Sequence, residues 1–323
     1  MGVMIDEQAS FLINMEYVFG RRYLPTIYST ARVDTRASNR GVPPVSRNKY
    51  PHSVKSIARQ IASKKPDFIS LQEAERIQLV IPSFRTVTYD FISLLLKELR
   101  ELGLRYEVAA VNHNFSAELP DSHGNTVRFL DRDAILIRTS SKLKIVQKTE
   151  ANFNTNLVIQ IGGQPFVVVR GWSSIGVCWH GRTFRIINTH LEPLSPAIQV
   201  AQAQEIIDGP GNSQLPLIVT GDLNSNADGT GTPTYGLFLA DGFHDTWVEV
   251  GKGNGFTCCQ DADLLNNQSS LLSRIDYILF KNGWIPLKAD NAGEKQQDRT
   301  ETGLWPSDHA GVSAALKLNK NCY

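Results

Sequence analysis

The sequence predicts a single α/β domain with packed β-sheets, covering residues 1–323. Two helical patterns each lead into a short apolar strand that ends in a carboxylate, first at Glu73 and later at Asp222. A run of hairpin-like strands with glycine turns lies between them. This mixture of helices and strands is typical of one α/β unit and not of two unlike domains. With 41% hydrophobic residues among 323, the chain can bury a large core.

The first predicted elements are a strand, a loop and a helix. Residues Ser10–Phe19 form an apolar strand in which Asn14 and Glu16 point to the same face, because side chains alternate along a strand. The Arg-rich segment up to Pro51 is predicted to be a loop, either solvated or in contact with phosphates. From Pro51, apolar residues at helical spacing predict a helix that leads into the strand segment PDFISLQE.

The middle of the chain is predicted to be one helix followed by antiparallel strands. The helix covers Tyr89–Leu102 and stops at Gly103. Gly162-Gly163 and His180-Gly181 supply turns between strands. The predicted strands are Tyr106–Val111, Ala134–Arg138, Lys144–Gln147, Asn156–Ile161, Phe166–Arg170 and Ile175–Trp179.

Polar residues follow the next two predicted strands. The strand Thr183–Asn188 exits into His190, and a helix begun by Ser195-Pro196 precedes the buried strand of LPLIVTGDLNS. That second strand ends in Asp222 and Asn224. An Asx turn, in which these two residues only satisfy their own backbone, explains them equally well when they are considered alone.

Two further polar pairs belong to the last part of the chain. Asp276 lies inside the apolar strand Arg274–Phe280, where an acid is costly unless it is paired. Asp308 and His309 come directly before the final predicted strand. Both acids thus lie within or next to a predicted strand, as Glu73 and Asp222 do.

Together these residues form a set of oxygen and imidazole groups suited to phosphoester chemistry. Carboxylates and amides favour Mg²⁺, Mn²⁺ or Ca²⁺ over zinc. Histidine beside a carboxylate supplies acid–base capacity near neutral pH, and a hard cation with a positioned base is what phosphoester hydrolysis requires. Each residue alone could have a structural role. The set is Glu73, His190, Asp222, Asn224, Asp276, Asp308 and His309.

Composition gives little information about the partner. A formal net charge of +1 gives no global attraction to nucleic acid or anionic membranes, so local basic groups or a metal must hold a polyanion. No apolar run approaches the ~20 residues of a membrane span, and no stable membrane insertion is expected. Asp6 and Glu7 stand where a signal peptide carries positive charge, so a cytoplasmic protein is the default expectation unless a signal was removed. Adjacent Cys258 and Cys259 lack zinc-site spacing and are expected to be packing residues, not a redox pair.

The ordered segments LQE, NTHLEP, TGDLNS, RIDYIL and PSDHAGV resemble the endonuclease/exonuclease/phosphatase superfamily, the deoxyribonuclease I-like hydrolases. The segments ANFNTNL and GFTCCQDADLL further resemble a bacterial subgroup whose members carry only the family label. The resemblance covers most of the chain. It implies a four-layer α/β sandwich with two central mixed β-sheets.

The resemblance also implies a metal site. Glu73 resembles the principal metal ligand, joined by Asp308 directly or through water. Members of the subgroup usually carry an Asn at a fixed distance before a glycine and a proline, and counting back along FGRRYLP places Glu16 there. Asn14 is the alternative ligand. The implied cofactor is Mg²⁺ or Mn²⁺.

The catalytic roles implied by the resemblance fall on five residues. Asp222 and Asn224 resemble the pair that positions the attacking water and a phosphate oxygen. Asp276 resembles the residue that orients His309, and this dyad would act as general base or polarise the phosphate. His190 would contact the phosphate and help the leaving oxygen depart.

The function predicted from these residues is a divalent-metal-dependent phosphodiesterase with a nucleic acid substrate, acting as a monomer without a protein partner. A basic groove should then flank the site. The acid that supports His190 is either Asp131 or Asp133. The candidate substrate-binding residues are Arg132 and Arg299, and the groove could include Arg47, Lys49, Lys55, Arg59 and Arg128.

Three alternatives stay open. A phosphomonoesterase would use the same residues. A phospholipase of the sphingomyelinase type would need exposed membrane-docking side chains, for which Trp172, Trp179 and Trp305 are candidates. The alternative of a different class is a non-catalytic binding module that retains the fold.

Overall fold

The computed structural model describes residues 8–14, 49–120, 124–161 and 164–319. Glu16 and most of the Arg-rich segment before Pro51 lie outside these ranges. The helices are α1 (Lys49–Lys64), α2 (Phe91–Glu101), α3 (Pro196–Asp208), α4 (Thr234–Ala240) and α5 (Thr246–Val250), with a 3₁₀ turn at Gln296–Asp298. The strands are β1 (Gln8–Asn14), β2 (Phe68–Gln72), β3 (Arg76–Ile81), β4 (Arg85–Asp90), β5 (Tyr106–Pro120), β6 (Thr126–Arg138), β7 (Lys144–Asn152), β8 (Leu157–Ile161), β9 (Gln164–Val168), β10 (Gly171–Trp179), β11 (Arg182–His190), β12 (Leu217–Asp222), β13 (His244–Asp245), β14 (Asp276–Lys281), β15 (Trp284–Ala292) and β16 (Gly311–Leu318).

The strands form two large mixed sheets and one separate hairpin. The first sheet has the order β15-β16-β1-β2-β6-β3-β4, with β5 along the opposite edge of β6. The second sheet has the order β13-β14-β12-β11-β10-β7, and β8 with β9 forms the hairpin. Each large sheet contains a parallel pair, β1 with β2 and β11 with β12, among antiparallel neighbours.

Apolar cores separate four layers. Helices α1 and α2 cover the first sheet through a core that includes Leu71, and α3 and α4 cover the second sheet through a core that includes Val219. The two sheets face each other through a core that includes Phe184. Phe68 belongs to the core between the sheets and Ile69 to the core under the helices, because successive side chains of β2 alternate. The predicted four-layer α/β sandwich is confirmed.

The predicted repeat of helix, strand and acid occurs once in each sheet. Helix α1 leads into β2 and α3 leads into β12. Ser195 begins α3 by accepting a hydrogen bond from the backbone N–H of Ile198, with Pro196 in the first turn and Gly209 as the C-cap. Each of these strands is thus preceded by a helix, and Glu73 follows β2 as Asp222 ends β12.

Polar side chains between the sheets fix their alignment beside the site. Gln72 Nε2 donates to Asn188 Oδ1, and Asn188 Nδ2 donates to backbone carbonyls of β2 and β6 at 3.0 and 3.2 Å. Thr220 Oγ1 lies 2.7 Å from Ser70 Oγ. Gln72, Asn188 and Thr220 are fully buried. A shift of one sheet along the other would leave these buried groups unpaired, which is costly.

Some elements differ from the sequence prediction. The β3–β4 hairpin was not predicted, because both strands are largely half-exposed and the turn between Ile81 and Arg85 contains no glycine. Strand β15 was also not predicted, since its alternation is interrupted by an irregularity in register at Pro286–Lys288. Strand β5 is longer than predicted and carries two register shifts. No helix in the described ranges is long and apolar enough to cross a membrane.

Candidate active site

Three predicted site residues occupy neighbouring positions across the second sheet. His190 ends β11, Asp222 ends β12 and Asp276 begins β14. His190 pairs in register with Asp222, and Asp222 pairs with Asp276. Residues directly opposite each other in a sheet share a face. All three side chains are at most 3% exposed, so the sheet register alone assembles a buried row of one histidine and two acids.

Asp222 takes part in an Asx turn and also lies beside His190. Its Oδ1 accepts the backbone N–H of Asn224 at 2.7 Å, which is the Asx turn considered above. Its Oδ2 lies 3.7 Å from Nε2 of His190. Asn224 adopts a left-handed conformation with φ of 49° and donates from Nδ2 to the Leu191 carbonyl at 2.9 Å. The turn thus holds Asp222 and Asn224 side by side.

His309 and Asp276 form a buried dyad. Nδ1 of His309 lies 2.9 Å from Oδ2 of Asp276, and both side chains are at most 1% exposed. The backbone N–H groups of Ile275 and Asp276 donate to Thr257 Oγ1 at 3.1 and 3.3 Å, which fixes the start of β14. Since a carboxylate accepts the proton on Nδ1, Nε2 is the basic nitrogen of the imidazole.

Glu73 enters the site from the first sheet. It directly follows β2 in a left-handed conformation with φ of 52°, and its backbone N–H donates to Asp133 Oδ1 at 3.2 Å. Its Oε1 lies 3.7 Å from Nδ1 of His190. A left-handed conformation at a residue with a side chain stores strain of order 1–3 kcal/mol, and such strain concentrates at functional sites.

Arg132 supports the loop that carries Glu73. Its Nε donates to the Ala74 carbonyl at 2.9 Å, its NH2 to the Glu75 carbonyl at 3.2 Å and its NH1 to Asp90 Oδ2 at 2.9 Å. The guanidinium therefore holds this loop in position through these three hydrogen bonds. Its predicted role in substrate binding has no support in these contacts.

Arg299, the second predicted substrate-binding residue, lies in another local network. Its Nε and NH2 donate to the Gly303 carbonyl, and its guanidinium stacks on the ring of Trp305, 5.2 Å from the centroid. NH1 lies 3.3 Å from the Asn267 carbonyl. These contacts make Arg299 a residue that holds loops together, and its substrate role stays untested.

Arg170 is the site residue that the sequence did not predict. It lies between β9 and β10, is 7% exposed, and its NH1 donates to Nδ1 of His190 at 2.8 Å. The same NH1 lies 3.6 Å from Asp131 Oδ2 and 3.9 Å from Glu73 Oε1. The sequence carried one signal, a basic residue where a predicted strand ends before Gly171, but its acidic partners lie in distant segments.

The Arg170 contact determines the proton position on His190. Arginine only donates, so Nδ1 of His190 must accept and the imidazole proton sits on Nε2, which faces Asp222. The pKa of His190 lies well below its ordinary value, because burial disfavours the imidazolium and Arg170 repels it. His190 is therefore a neutral hydrogen-bond donor.

Neither acid proposed to support His190 contacts it in the described part of the chain. Asp131 reaches His190 through Arg170, whereas Asp133 accepts the Glu73 backbone N–H and the Asn114 amide at 3.2 and 2.8 Å. Burial, together with the neighbouring Asp131 carboxylate, raises the pKa of Asp133 to about 7. The pair thus acts on the site through Arg170 and the Glu73 loop.

The residues present fit a hard divalent cation. The buried carboxylates outnumber the guanidinium groups near them, so the cluster carries excess negative charge. Oδ1 of Asp131 and Oδ1 of Asp276 have no hydrogen-bond partner within the described residues. Oxygen donors of this kind suit Mg²⁺ or Mn²⁺. The buried carboxylates near the site are Glu73, Asp131, Asp133, Glu192, Asp222, Asp276 and Asp308.

The other predicted metal ligands are Asp308 and either Asn14 or Glu16. Asp308 is 8% exposed, its Oδ1 lies 3.4 Å from Ser307 Oγ, and it directly precedes His309. Asn14 ends β1 and pairs with Gln72, the residue before Glu73. This backbone register places Asn14 next to the Glu73 loop, while Glu16 lies outside the described residues.

Two adjacent cysteines lie against His309. Cys259 Sγ lies 3.7 Å from Nε2 of His309. The backbone of Cys258 bridges to both Ser273 and His309. Cys258 is buried and Cys259 is half-buried, and their expected role as packing residues stays a prediction.

Comparison with known proteins identifies the family of the chain and solved structures with a similar fold. The model of the Endonuclease/Exonuclease/phosphatase family matches residues 36–309. An endonuclease/exonuclease/phosphatase family protein from Leptotrichia buccalis C-1013-b shares 18% identity and a TM-score of 0.60, over 96% of this chain and 100% of that one. D. rerio TDP2 complexed with single strand DNA product shares 15% identity and a TM-score of 0.57, over 97% and 99%. The mannosyl-6-phosphatase of Bacteroides thetaiotaomicron VPI-5482 shares 18% identity and a TM-score of 0.56, over 96% and 99%. No curated protein matches the chain significantly.

Proposed function

Because the chain belongs to the endonuclease/exonuclease/phosphatase family, we propose that it is a divalent-metal-dependent phosphodiesterase that acts on nucleic acid by in-line attack of water. The observation that carries the proposal is the row His190, Asp222, Asp276 with His309 paired behind it. It brings a basic imidazole and a neutral donor imidazole together with two carboxylates, Asp222 and Asp276. Such a pair suits a reaction that takes a proton from water and stabilises charge on phosphate.

Each residue of the row has a distinct role in this proposal. Nε2 of His309 is the basic nitrogen, and the Asp276 carboxylate stabilises the imidazolium once His309 has taken the proton from water. Asp222 and Asn224 orient the water and a phosphate oxygen. His190 donates from Nε2–H to a non-bridging or leaving oxygen, since its neutral form is fixed by Arg170.

The metal would be held by carboxylates of the Glu73 loop and of the segment before β16. Glu73 and Asp308 are the ligands proposed, with Asn14 as the amide candidate from β1. When bound, a hard cation stabilises negative charge on the phosphate and lowers the pKa of water. Arg132, through Ala74, Glu75 and Asp90, keeps the Glu73 loop in place for this role.

The charge of the site favours a diester over a monoester. A phosphodiester carries one negative charge near neutral pH and a phosphomonoester carries close to two. Each additional negative charge is repelled by the buried carboxylates, and Arg170 is the one buried arginine that contacts Glu73 and His190 among the described residues. The monoesterase alternative would need further cations, and its only support is the resemblance to the mannosyl-6-phosphatase.

Two observations support nucleic acid as the substrate: one similar structure and the basic residues considered for a groove. TDP2, one of the similar structures, is described with a single strand DNA product. Of the basic residues considered for a groove, Arg59 lies 3.9 Å from Glu301 and Arg128 lies 2.8 Å from Glu118. Lys55 is exposed. These residues could exchange surface ion pairs for phosphates, because such pairs contribute little free energy.

A phospholipase is less consistent with the side chains described. Trp305 is fully buried, and Trp172 and Trp179 are half-buried. A membrane-docking loop would expose large apolar or aromatic groups beside the site. None of these three tryptophans meets that requirement.

Hydrolysis of bis(p-nitrophenyl) phosphate beside p-nitrophenyl phosphate, with Mg²⁺, Mn²⁺ or EDTA, tests the proposal. We expect metal-dependent cleavage of the diester, abolished in His309→Ala, followed by cleavage of single-stranded DNA or RNA. Preference for the monoester would replace the proposal by a phosphatase. Absence of turnover on both substrates and on oligonucleotides, with metal bound, would favour a binding module.

A further inference from the structure

We propose that a cavity between α5 and β15 holds one base of the nucleic acid strand and selects a base that carries an exocyclic amino group. This inference rests on the proposed function, because it adds a binding site for the substrate proposed there. The α5–β15 cavity has a volume of about 340 Å³, which is within the range of small-ligand sites. The lining residues that matter here are Trp247, Lys252, Phe256, Leu271, Asn291 and Glu294.

Trp247 is held in one position at the wall of the cavity. Its Nε1 donates to the Gly253 carbonyl at 3.1 Å, and its backbone N–H donates to Asp245 Oδ1 at 2.8 Å. Gly251 and Gly255 lie directly against the indole, and a Cβ at either glycine would collide with ring atoms. A ring that is already ordered loses little conformational entropy when a ligand binds, so the wall is prepared for a flat partner.

The apolar part of the lining suits the face of a nucleobase. Trp247 and Phe256 are half-buried, and Leu271 is buried. Every base has a π-face, and stacking on an aromatic side chain changes affinity by roughly 5- to 150-fold. Lys252 is exposed at the cavity and can meet a phosphate of the same strand.

Glu294 gives the cavity a hydrogen-bond acceptor. Asn291 is buried and donates from Nδ2 to the Phe256 carbonyl at 2.9 Å and to Glu294 Oε2 at 3.2 Å. These bonds tie the carboxylate to the wall, and a carboxylate has capacity for several N–H donors. It accepts from the N4 amino group of cytosine and repels the O4 carbonyl that thymine has at the same place. The cavity should therefore favour a base with an amino group.

The cavity lies within reach of the His309–Asp276 dyad. Asn291 pairs with Val312, three residues after His309, and Phe256 is two residues from Cys258, whose backbone bridges to His309. The chain length and the strand spacing limit the distance between the Cα atoms of Asn291 and His309 to about 16 Å. A stacked strand advances about 3.4 Å per nucleotide, so a strand with a phosphate at His309 reaches the cavity within about five nucleotides.

Binding of labelled oligonucleotides tests the selectivity without hydrolysis. Fluorescence anisotropy gives the Kd of fluorescein-labelled decamers of deoxycytidine and of thymidine for His309→Ala in Mg²⁺. We expect the deoxycytidine decamer to bind at least about fivefold more tightly. Glu294→Gln in the same background should bring the two Kd values together, because an amide donates as well as accepts. Glu107→Gln, a change of an exposed acid that pairs with Ile137 on β6, should preserve the difference.

Removal of the indole tests the stacking. We expect Trp247→Leu to weaken binding of both decamers at least about fivefold, and to lower their kcat/KM relative to that of bis(p-nitrophenyl) phosphate by a similar factor. Trp179→Leu is the matched control, since Trp179 is also half-buried but pairs with Arg182, at the opposite end of β11 from His190.

Two results would overturn the proposal. One is equal affinity of His309→Ala for the two decamers, and the other is unchanged binding in a folded Trp247→Leu protein. If Trp247→Leu does not fold, Glu294→Gln decides alone, because it changes a half-buried carboxylate to an amide of the same shape.

The base site and the proposed function fail differently. A cytosine preference that depends on Glu294, in a protein that hydrolyses no phosphoester, supports the base site and removes the proposed function. Metal-dependent hydrolysis of the decamers without a cytosine preference supports the proposed function and removes the base site. Hydrolysis of bis(p-nitrophenyl) phosphate without binding of either decamer leaves a phosphodiesterase and removes both the base site and the nucleic acid substrate.

Discussion

Arg170 donates from NH1 to Nδ1 of His190 across 2.8 Å, and both side chains are buried. The contact forces the imidazole proton onto Nε2 and holds His190 neutral, because a second positive charge beside the guanidinium is unfavourable. Asp131 and Glu73 stabilise the guanidinium in turn, which is why burial does not deprive it of its charge. The histidine on this side of the site is therefore a neutral donor, whereas Nδ1 of His309 has a carboxylate partner.

The first prediction concerns Arg170→Lys. Lysine retains the charge, but its shorter side chain does not carry a donor to the position of NH1, which contacts both His190 and Asp131. We therefore expect kcat on bis(p-nitrophenyl) phosphate to fall at least about tenfold while the protein stays folded. Arg185→Lys is the matched control, since Arg185 donates to the Pro210 carbonyl at 2.8 Å and pairs with Leu217, toward the opposite end of β11 from His190. An unchanged kcat in Arg170→Lys would mean that the contact does not position His190.

The second prediction concerns the His309–Asp276 dyad. His309→Ala and Asp276→Asn should each lower the rate by about 10²–10⁴-fold, because the base or its orienting acid is lost. The double variant should be little worse than His309→Ala, since the two residues act as a unit. His244→Ala is the control, as His244 is exposed and pairs with Glu249. Additive losses in the double variant would show that the two residues act independently; circular dichroism must confirm that each variant is folded.

The third prediction concerns pH and Asp90, the N-cap of α2, whose Oδ1 accepts the Ser93 backbone N–H at 3.0 Å. Burial alone would raise the pKa of Asp90, but hydrogen bonds from Arg132 and Ser93 outweigh it and hold the pKa below its ordinary value. A carboxyl with a depressed pKa in the folded state adds stability above its unfolded pKa of about 3.9, and this stability is lost as pH falls through the folded pKa. Asp90→Asn should therefore lower the free energy of unfolding by about 1–2 kcal/mol at pH 7 and by progressively less below about pH 4.

Urea unfolding of the Asp90→Asn variant at pH 7, 4 and 3 checks the trend. Asp241→Asn is a suitable control, because Asp241 pairs with Lys281 at 2.7 Å near the surface and should contribute less than about 1 kcal/mol. A destabilisation by Asp90→Asn that is the same at all three pH values would contradict an ionised Asp90 in the folded protein.

The fold could be predicted from the sequence wherever a local signal was strong. The cap at Ser195-Pro196 defined α3, and short apolar runs between turn residues defined β2 and β12. The β3–β4 hairpin escaped prediction because neither of its strands has a clean buried face. The contact of Gln72 with Asn188 helps to align the two sheets. It joins residues 116 apart in the chain, so no local sequence pattern predicts it.

The sequence predicted which acids and histidines belong to the site, but not the contacts that the arginines make with them. The motifs identified Glu73 and the later acids and histidines, because each follows or begins a strand. They did not indicate that Arg132 would be used beneath the Glu73 loop, since the direction of a long side chain depends on its neighbours in three dimensions. Arg170 was missed for the same reason: its charge matters only after His190 and Asp131 have been brought to it.

The last prediction concerns Glu73→Gln and the cost of the buried negative charge. Burial raises the pKa values of Asp131 and Asp133 beside Glu73, and repulsion by the Asp131 carboxylate adds to the rise at Asp133, so negative charge is costly in this cluster without a metal. Removing one charge at the same shape relieves part of this repulsion, so in EDTA the Tm of Glu73→Gln should equal or exceed that of the unaltered protein. Mg²⁺ or Mn²⁺ should raise the Tm of the unaltered protein, because an ion that binds only the folded state stabilises it.

That increase in Tm should be largely lost in Glu73→Gln, together with hydrolysis, and retained in Glu118→Gln, which alters an exposed acid paired with Arg128. Thermal unfolding with and without metal measures both effects in one experiment. A large fall in the Tm of Glu73→Gln in EDTA would mean that the carboxylate is needed to hold its own loop through His190 and Arg170. An undiminished response to metal would instead place the cation on other carboxylates of the site, so the two results separate a structural role of Glu73 from a role as ligand.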